Sequence, residues 1–290
     1  MTTVNISNPL SEPYRTGSYL VYDMPPGAPD HVRSAWSLKT HRYPASGSRQ
    51  LDADQLKKTL AEVIAQYSTG DLFLVDLRQE THGFLDTRAA SWYADNDFAN
   101  VGQSKEWIEA DEAARLRVLT GQPTQVFTIK DDPADNRDQQ RVMPVSYEQI
   151  TVAAASTEQM VFDKRKLGAC TIHYVRIPVT DHCAAVGAAL EALRTVPVSL
   201  DPKVWVHFHC HGGDGRTTTF LALYDMLCWK KSNDPAFPPL TEFACRQYGL
   251  APNYCLNPDG CDCGTSPSPP IAGWKRSLAI KRWQVLEAFH

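Results

Sequence analysis

Residues 209–217 read His209-Cys210-His211-Gly212-Gly213-Asp214-Gly215-Arg216-Thr217. Val204-Trp205-Val206-His207-Phe208 stands directly before them, a β-branched and aromatic run that predicts a buried strand. Residues 218–229 follow, with Phe220, Leu221, Leu223, Tyr224, Leu227 and Cys228 in a helical pattern. A strand therefore runs into a glycine-rich turn, and the turn into a helix N-terminus. In that setting the loop N–H groups can converge on one anion, aided by the positive end of the helix dipole. Gly212, Gly213 and Gly215 permit the dihedrals such a nest requires. Cys210 lies at its base, where the same field favours a thiolate. Arg216 can grip two oxygens of a phosphate, and Thr217 offers a hydroxyl to the sulfur. Nucleophile and phosphate cradle share one loop. A buried, inert cysteine is the ordinary alternative, but the glycines, Arg216 and Thr217 at fixed offsets argue against it.

Two upstream segments extend the pattern: Arg176-Ile177-Pro178-Val179-Thr180-Asp181-His182 and Phe73-Leu74-Val75-Asp76-Leu77-Arg78-Gln79-Glu80-Thr81-His82-Gly83-Phe84. With the spacing H-C-x5-R-T they resemble the protein-tyrosine-phosphatase-like inositol phosphatases, also called cysteine phytases. Some members of that family are digestive phytases, and others look like effectors that plant-pathogenic bacteria inject into host cells. The resemblance runs from about Arg33 to the C-terminus. A rhodanese-like sulfur-transfer loop also begins with a cysteine, but it requires neither this arginine nor an upstream Asp-His.

The resemblance implies an α/β cysteine-phosphatase fold: a central, mostly parallel sheet flanked by helices, with a small β-rich lobe, a partial barrel. It implies Cys210 as nucleophile, Arg216 and Thr217 beside it, and Asp181 as general acid. A carboxylic acid on a loop after a strand can protonate a leaving oxygen and, once ionised, activate water. His182 would orient that loop, and His211, Gly212, Gly213, Asp214 and Gly215 would surround the phosphate. Lys275, after Trp274, matches the place where related phytases supply a lysine to substrate phosphates. Arg282 is a weaker candidate on the same helix, and Arg33 is the N-terminal one. Solvated basic faces are the ordinary reading of these three. Asp214 departs from the family, whose members carry small, apolar or basic residues there. A carboxylate at the rim must pair with a cation or exclude some phosphate arrangements.

A formal net charge of −4 argues against a general nucleic-acid or membrane-surface binder, so a polyanion site must be local. No stretch approaches the ~18 apolar residues of a membrane span, and the first ten residues lack a signal-peptide pattern. The eight cysteines show no disulfide-scaffold rhythm. A catalytic thiolate suits a reducing compartment, or delivery into a host cell. Cys255, Cys261 and Cys263 cluster in a Pro/Gly-rich loop, as a disulfide or a metal site. No second C-x-x-C or histidine pair completes a zinc pattern, so neither metal nor cofactor is expected.

Residues 1–30, with Met24-Pro25-Pro26-Gly27, read as an extended arm, and 31–290 as the phosphatase domain with the β-rich insert at about 120–155. Helices are expected at 51–67, at 104–119 with Ser104 as N-cap, and from Ser156 with Gln159 in capping-box spacing. Further helices are expected at 184–195, 241–248 and 274–289, the last with Trp274, Leu278, Trp283, Leu286 and Phe289 as core candidates. Strand 72–75 delivers Asp76, Arg78 and Glu80 to its C-terminal end, where they line the pocket or brace the loop. Bracing is the reading for Asp76. Asp181 has a competing role as N-cap of helix 184–195. Together these features predict a metal-free phosphatase for an inositol polyphosphate such as phytate. A phosphotyrosine phosphatase and a dead phosphate-binding module are the alternatives. The last is disfavoured, since Cys210, Arg216 and Asp181 are all present.

Overall fold

The computed structural model describes residues 19–23, 43–131, 142–250, 254–261, 263, 270–271 and 273–290. In chain order the first elements are β1 (Tyr19–Tyr22), β2 (Ala45–Arg49), α1 (Ala53–Tyr67) and β3 (Asp71–Arg78). Next come β4 (His82–Leu85), β5 (Arg88–Tyr93), a 3-10 turn (Asp95–Asp97), α2 (Lys105–Arg117), β6 (Pro123–Asp131) and β7 (Val142–Thr151). β8 (Ala155–Ser156), α3 (Glu158–Phe162), β9 (Lys166–Leu167), β10 (Cys170–Val179) and α4 (Ala188–Thr195) follow. The last are β11 (Val204–Cys210), α5 (Gly215–Ser232), α6 (Leu240–Leu250) and α7 (Lys275–Phe289).

The central sheet runs β2-β11-β3-β10-β9 and is parallel except at the β9 edge. Helices cover both its faces, which is why β3 and β11 read as apolar runs. Successive side chains go to opposite faces. Trp205 joins Leu72, Leu74 and Ile172 beneath Leu56, Leu60 and Val63 of α1. Val206, Phe208 and Cys210 face the other way, onto Phe220 and Leu223 of α5. Each such buried Leu or Phe contributes roughly 1.5–3 kcal/mol. Helix α5 is buried from Arg216 to Met226, so it carries no polar stripe.

A second, curled sheet runs β7-β6-β1-β5-β4-β8 over a smaller core of Leu20, Leu85, Trp92, Leu116, Val126 and Val152. The α/β sheet with flanking helices and a half-barrel lobe is the expected fold. The lobe, however, extends beyond residues 120–155, because β4 and β5 belong to it. Strand β1, from the stretch read as an arm, lies between β5 and β6. Three helix starts can be checked against their caps. Ser104 accepts the Trp107 N–H at 3.2 Å, as expected. Thr157, not Ser156, caps α3, accepting the Met160 N–H at 3.1 Å. Helix α4 begins after Gly187, which removes Asp181 as its cap. No helix among the described residues is long and apolar enough to cross a membrane.

Candidate active site

Strand β11 delivers Cys210 opposite Arg49, the last residue of β2. The loop then passes so close to that neighbour that a Cβ on Gly213 would lie 2.7 Å from the Arg49 nitrogen, and Gly213 has φ +78°. Only glycine fits there. On the loop's other side the Gln50 N–H donates to the His211 carbonyl at 3.1 Å. Cys210 Sγ accepts from the Gly213 N–H at 3.3 Å and the Thr217 hydroxyl at 3.1 Å. Both bonds favour a thiolate. Burial works against it and is the larger effect, and Asp181 adds to it. The thiol therefore lies above its ordinary value despite the pull of Arg216. The loop's field alone does not lower Cys210, contrary to expectation.

Beneath the loop lies a floor of buried charges. Arg216 Nη1 and Nη2 donate to Glu80 Oε2 and Oε1 at 2.7 and 3.0 Å. Glu80 also accepts from Arg78 Nε at 2.8 Å, and Arg78 Nη1 donates to Asp23 Oδ2 at 2.8 Å. Asp76 accepts from the Arg78 N–H at 2.8 Å and the Tyr174 hydroxyl at 2.7 Å, while Arg176 donates to Glu112 at 2.6 Å. Burial pushes the Glu80 and Asp76 carboxyls up. Arg216 and Arg78 around Glu80, and His82 and Arg176 around Asp76, outweigh it and hold both well below the ordinary range. Asp76, Arg78 and Glu80 thus brace the loop from behind.

The His211 side chain also turns to this floor, with Nδ1 3.1 Å from Asp97 Oδ2 and Nε2 3.5 Å from Asp23 Oδ1. Burial, then the Glu80 charge, raise the Asp97 carboxyl. His211 is raised too, because Asp97 and Asp23 overcome its burial. Donor atoms of Glu80, Asp97 and His211 lie within 4.8 Å of one another, the spacing of a metal site. Glu80 is already gripped by two arginines, so its oxygens are committed to them.

Asp181 follows β10, with Oδ1 3.2 Å from Arg216 Nε and accepting the His182 N–H at 2.9 Å. Burial pushes this carboxyl up, but Arg216 and His182 bring it below the usual value. Arg216 Nε has no aligned hydrogen-bond partner among the described residues. His182 holds a left-handed backbone (φ 59°), and its ring lies 5.0 Å from that of Trp274. Burial drives its imidazole down to about 4, with Asp181 opposing and Lys275, Arg216 and Arg282 assisting. The ring is neutral near pH 7.

Lys275 opens α7, its Nζ 5.3 Å from the Trp274 ring. Arg282, the weaker candidate in the sequence, is the one set against the loop. It is 3% exposed, and a Cβ on Gly215 would meet its Nη1 at 2.6 Å. Its Nη2 donates to the Tyr254 hydroxyl, while Nε and Nη1 have no partner among the described residues. A solvated basic face does not describe it. Asp214 is half-buried at the N-cap of α5 and acts electrostatically on Tyr254. Arg33 lies outside the described residues.

Tyr254, Asp97 and Arg49 were missed in the sequence, where no motif marks them. The cysteine cluster resolves into disulfides, Cys255–Cys261 and Cys245–Cys263, with Cα–Cα separations of 6.0 and 5.2 Å. Cys245 belongs to α6 and carried no signal of its partnership.

A model of the PTP-like phytase family, described as inositol hexakisphosphate, matches residues 75–228, more than half of the chain. Effector protein hopD2 of Pseudomonas syringae pv. tomato is 28% identical over 222 residues, which is 76% of this chain and 42% of that protein. Among solved structures, the PTP-like myo-inositol phosphatase of Mitsuokella multacida, in complex with myo-inositol-(1,3,4,5)-tetrakisphosphate, superposes with a TM-score of 0.71. It is 26% identical, over 97% of this chain and 47% of that one. A PTP-like phytase from Bdellovibrio bacteriovorus gives a TM-score of 0.61 at 28% identity, over 97% of this chain and 90% of that one. The chain spans less than half the length of the curated relative.

Proposed function

The chain belongs to the PTP-like phytase family, and from that premise we propose that it removes phosphate from myo-inositol polyphosphates such as phytate through a cysteinyl-phosphate intermediate. The observation that carries this reading is the conjunction at Cys210. Thr217 and Gly213 hold the sulfur, and the Asp181 carboxylate lies 3.2 Å from Arg216 Nε in an ion pair without an aligned hydrogen bond. Residues that would attack, grip and protonate a phosphate ester meet at one point. The substrate class is supported by the family and by the inositol tetrakisphosphate held by the Mitsuokella relative.

Cys210 and Asp181 are coupled, since the carboxylate charge raises the thiol. Attack requires the Cys210 thiolate and a protonated Asp181, so one proton passes from the thiol to the carboxylate before the bond to phosphorus forms, against the resting directions of both groups. Sγ then bonds to phosphorus as the P–O bond to the inositol breaks, and Asp181 gives its proton to the leaving oxygen. Arg216 and the N–H groups from His211 to Gly215 hold the other phosphoryl oxygens. In the second half Asp181 takes a proton from water. The water oxygen bonds to phosphorus, and the S–P bond breaks with Thr217 stabilising the sulfur. His182 holds the Asp181 loop. Lys275 and Arg282 receive phosphates of the ring that are not being cleaved, and Asp214 repels unsuitable arrangements.

The test follows phytate and a phosphotyrosine peptide side by side. Wild type should turn over phytate preferentially, and Cys210→Ser should abolish turnover while retaining phytate binding. A Cys210→Ser enzyme near wild-type rate ends the covalent mechanism. Preference for the peptide makes the protein a tyrosine phosphatase instead.

A further inference from the structure

Arg282 is a buried guanidinium with two nitrogens unpartnered among the described residues. Leaving such a group without partners is costly, so its place beside Gly215, at the start of α5, needs a reason. What fixes it there is Tyr254. The tyrosine hydroxyl accepts from Nη2, and the guanidinium carbon lies 5.4 Å from the ring centroid. A Cβ on Gly215 would come within 3.3 Å of the same hydroxyl, so Tyr254 touches both the arginine and the catalytic loop. Asp181, Asp214 and Cys210 all act on it electrostatically.

Tyr254 is not held by a helix or strand. The next residue, Cys255, is bridged to Cys261, and Cys245 of α6 to Cys263, which packs in the same small cluster with Tyr248. Leu256 is anchored in the main core. From the other side Arg276 of α7 donates to the Pro258 carbonyl at 2.8 Å and pairs with Asp259 at 2.6 Å. A loop fastened at this many points, with one tyrosine directed at the arginine beside the active site, is a positioning device.

We propose that the disulfide-pinned loop around Tyr254–Cys261 determines selectivity for multiply phosphorylated substrates, with Tyr254 holding Arg282 so that its Nε and Nη1, which lack partners among the described residues, grip a second phosphoryl group. The proposal rests on the inositol polyphosphate reading, which supplies that second group. A monophosphate aryl ester, held by Cys210, Arg216 and the loop amides, depends on Tyr254 less than a polyphosphate does.

The experiment measures phytate as a competitive inhibitor of aryl phosphate hydrolysis, which reports binding whether or not phytate is cleaved. In Tyr254→Phe the ring remains and only the hydroxyl is lost. The phytate inhibition constant should rise about tenfold, the worth of one charge-assisted hydrogen bond, with aryl phosphate kcat and KM changing by a clearly smaller factor. The paired Cys255→Ser and Cys261→Ser variant should shift the same ratio in the same direction. An unchanged inhibition constant in Tyr254→Phe, or equal losses on inhibitor and aryl substrate, overturns the proposal. Phytate that inhibits but is never cleaved, with inhibition still weakened by Tyr254→Phe, sinks the phytase reading and leaves this one standing.

Discussion

The floor beneath the catalytic loop and the rim above it are both rich in charge, and they are built on opposite principles. On the floor Arg78, Arg176, Glu80 and Asp76 are fully buried, and each is paired with an opposite charge. At the rim two Arg282 nitrogens lack a partner among the described residues, and Lys275 rests by a tryptophan ring. Opposite charges in contact hold one another in place, although Arg78 Nη2 has no hydrogen-bond partner among the described residues. Cations with spare donors wait for an anion. Under the proposed function the floor would serve catalysis on any phosphate ester, whereas the rim would choose among esters.

Glu80→Gln is the hardest test of that division. It leaves two arginines short of a carboxylate, and breaking such a buried pair costs about 3–5 kcal/mol. A large fall in Tm should accompany equal losses of kcat on phytate and on an aryl phosphate. A loss confined to phytate would move Glu80 to the rim and erase the distinction.

Asp181 stands between the two regions, and Asp181→Asn separates its roles. Phytate kcat should fall by about two to four orders of magnitude, and an aryl phosphate with a good leaving group should lose less. The same substitution removes a charge that raises Cys210, so alkylation by iodoacetate should set in at lower pH. An unmoved alkylation profile would show that the two groups do not share a proton.

The rim itself is probed more gently by Lys275→Ala, since a half-exposed charge is worth at most about fivefold. The phytate KM should rise by that factor and high salt should reproduce the change. An equal effect on aryl phosphate would assign Lys275 a structural role.

The last prediction touches turnover least, because it concerns the pH response of folding stability at strand β11. His207 is buried between Ser46 and Ser48, and burial drives its imidazole down to about 3. The unfolded chain takes up a proton near pH ~6.5 that the folded chain refuses. Stability should thus be full above that value and decline as pH falls toward about 3, with His182, at about 4, adding to the slope. Melting curves for wild type and His207→Gln between about pH 7 and pH 4 test the sign. A variant as acid-sensitive as wild type would place the response elsewhere.

These two regions also differ in how far the sequence discloses them. The loop is local: Cys210, the glycines, Arg216 and Thr217 sit at fixed offsets between a strand and a helix, so chain spacing alone nearly sets their geometry. Asp76, Arg78 and Glu80 were placed by the period of one strand. Tyr254, Asp97 and Asp23 join the site only through tertiary packing of distant segments, which leaves no offset to recognise. Arg282 misled for a related reason, since a basic residue on a helix is ordinarily solvated and only the fold brings Gly215 against it. Disulfide partners are likewise set in space, which hid Cys245 on an unremarkable helix.

Strand β1 pairs antiparallel with β5 and parallel with β6, and without it β7-β6 and β5-β4-β8 would be separate pieces. During synthesis this four-residue strand emerges before either partner, can pair with β5 once residues 88–93 have been made, and gains β6 only after residues 123–131 follow. Elongation at roughly 5–20 residues per second makes that a wait of several seconds. Closure of the lobe by β6 is therefore a late event in the folding of the nascent chain, whereas Asp23, held beside β5 through Ala89 and Ser91, can meet Arg78 before it. The floor of the active site is completed by Asp23, which precedes every other residue of that floor in the chain.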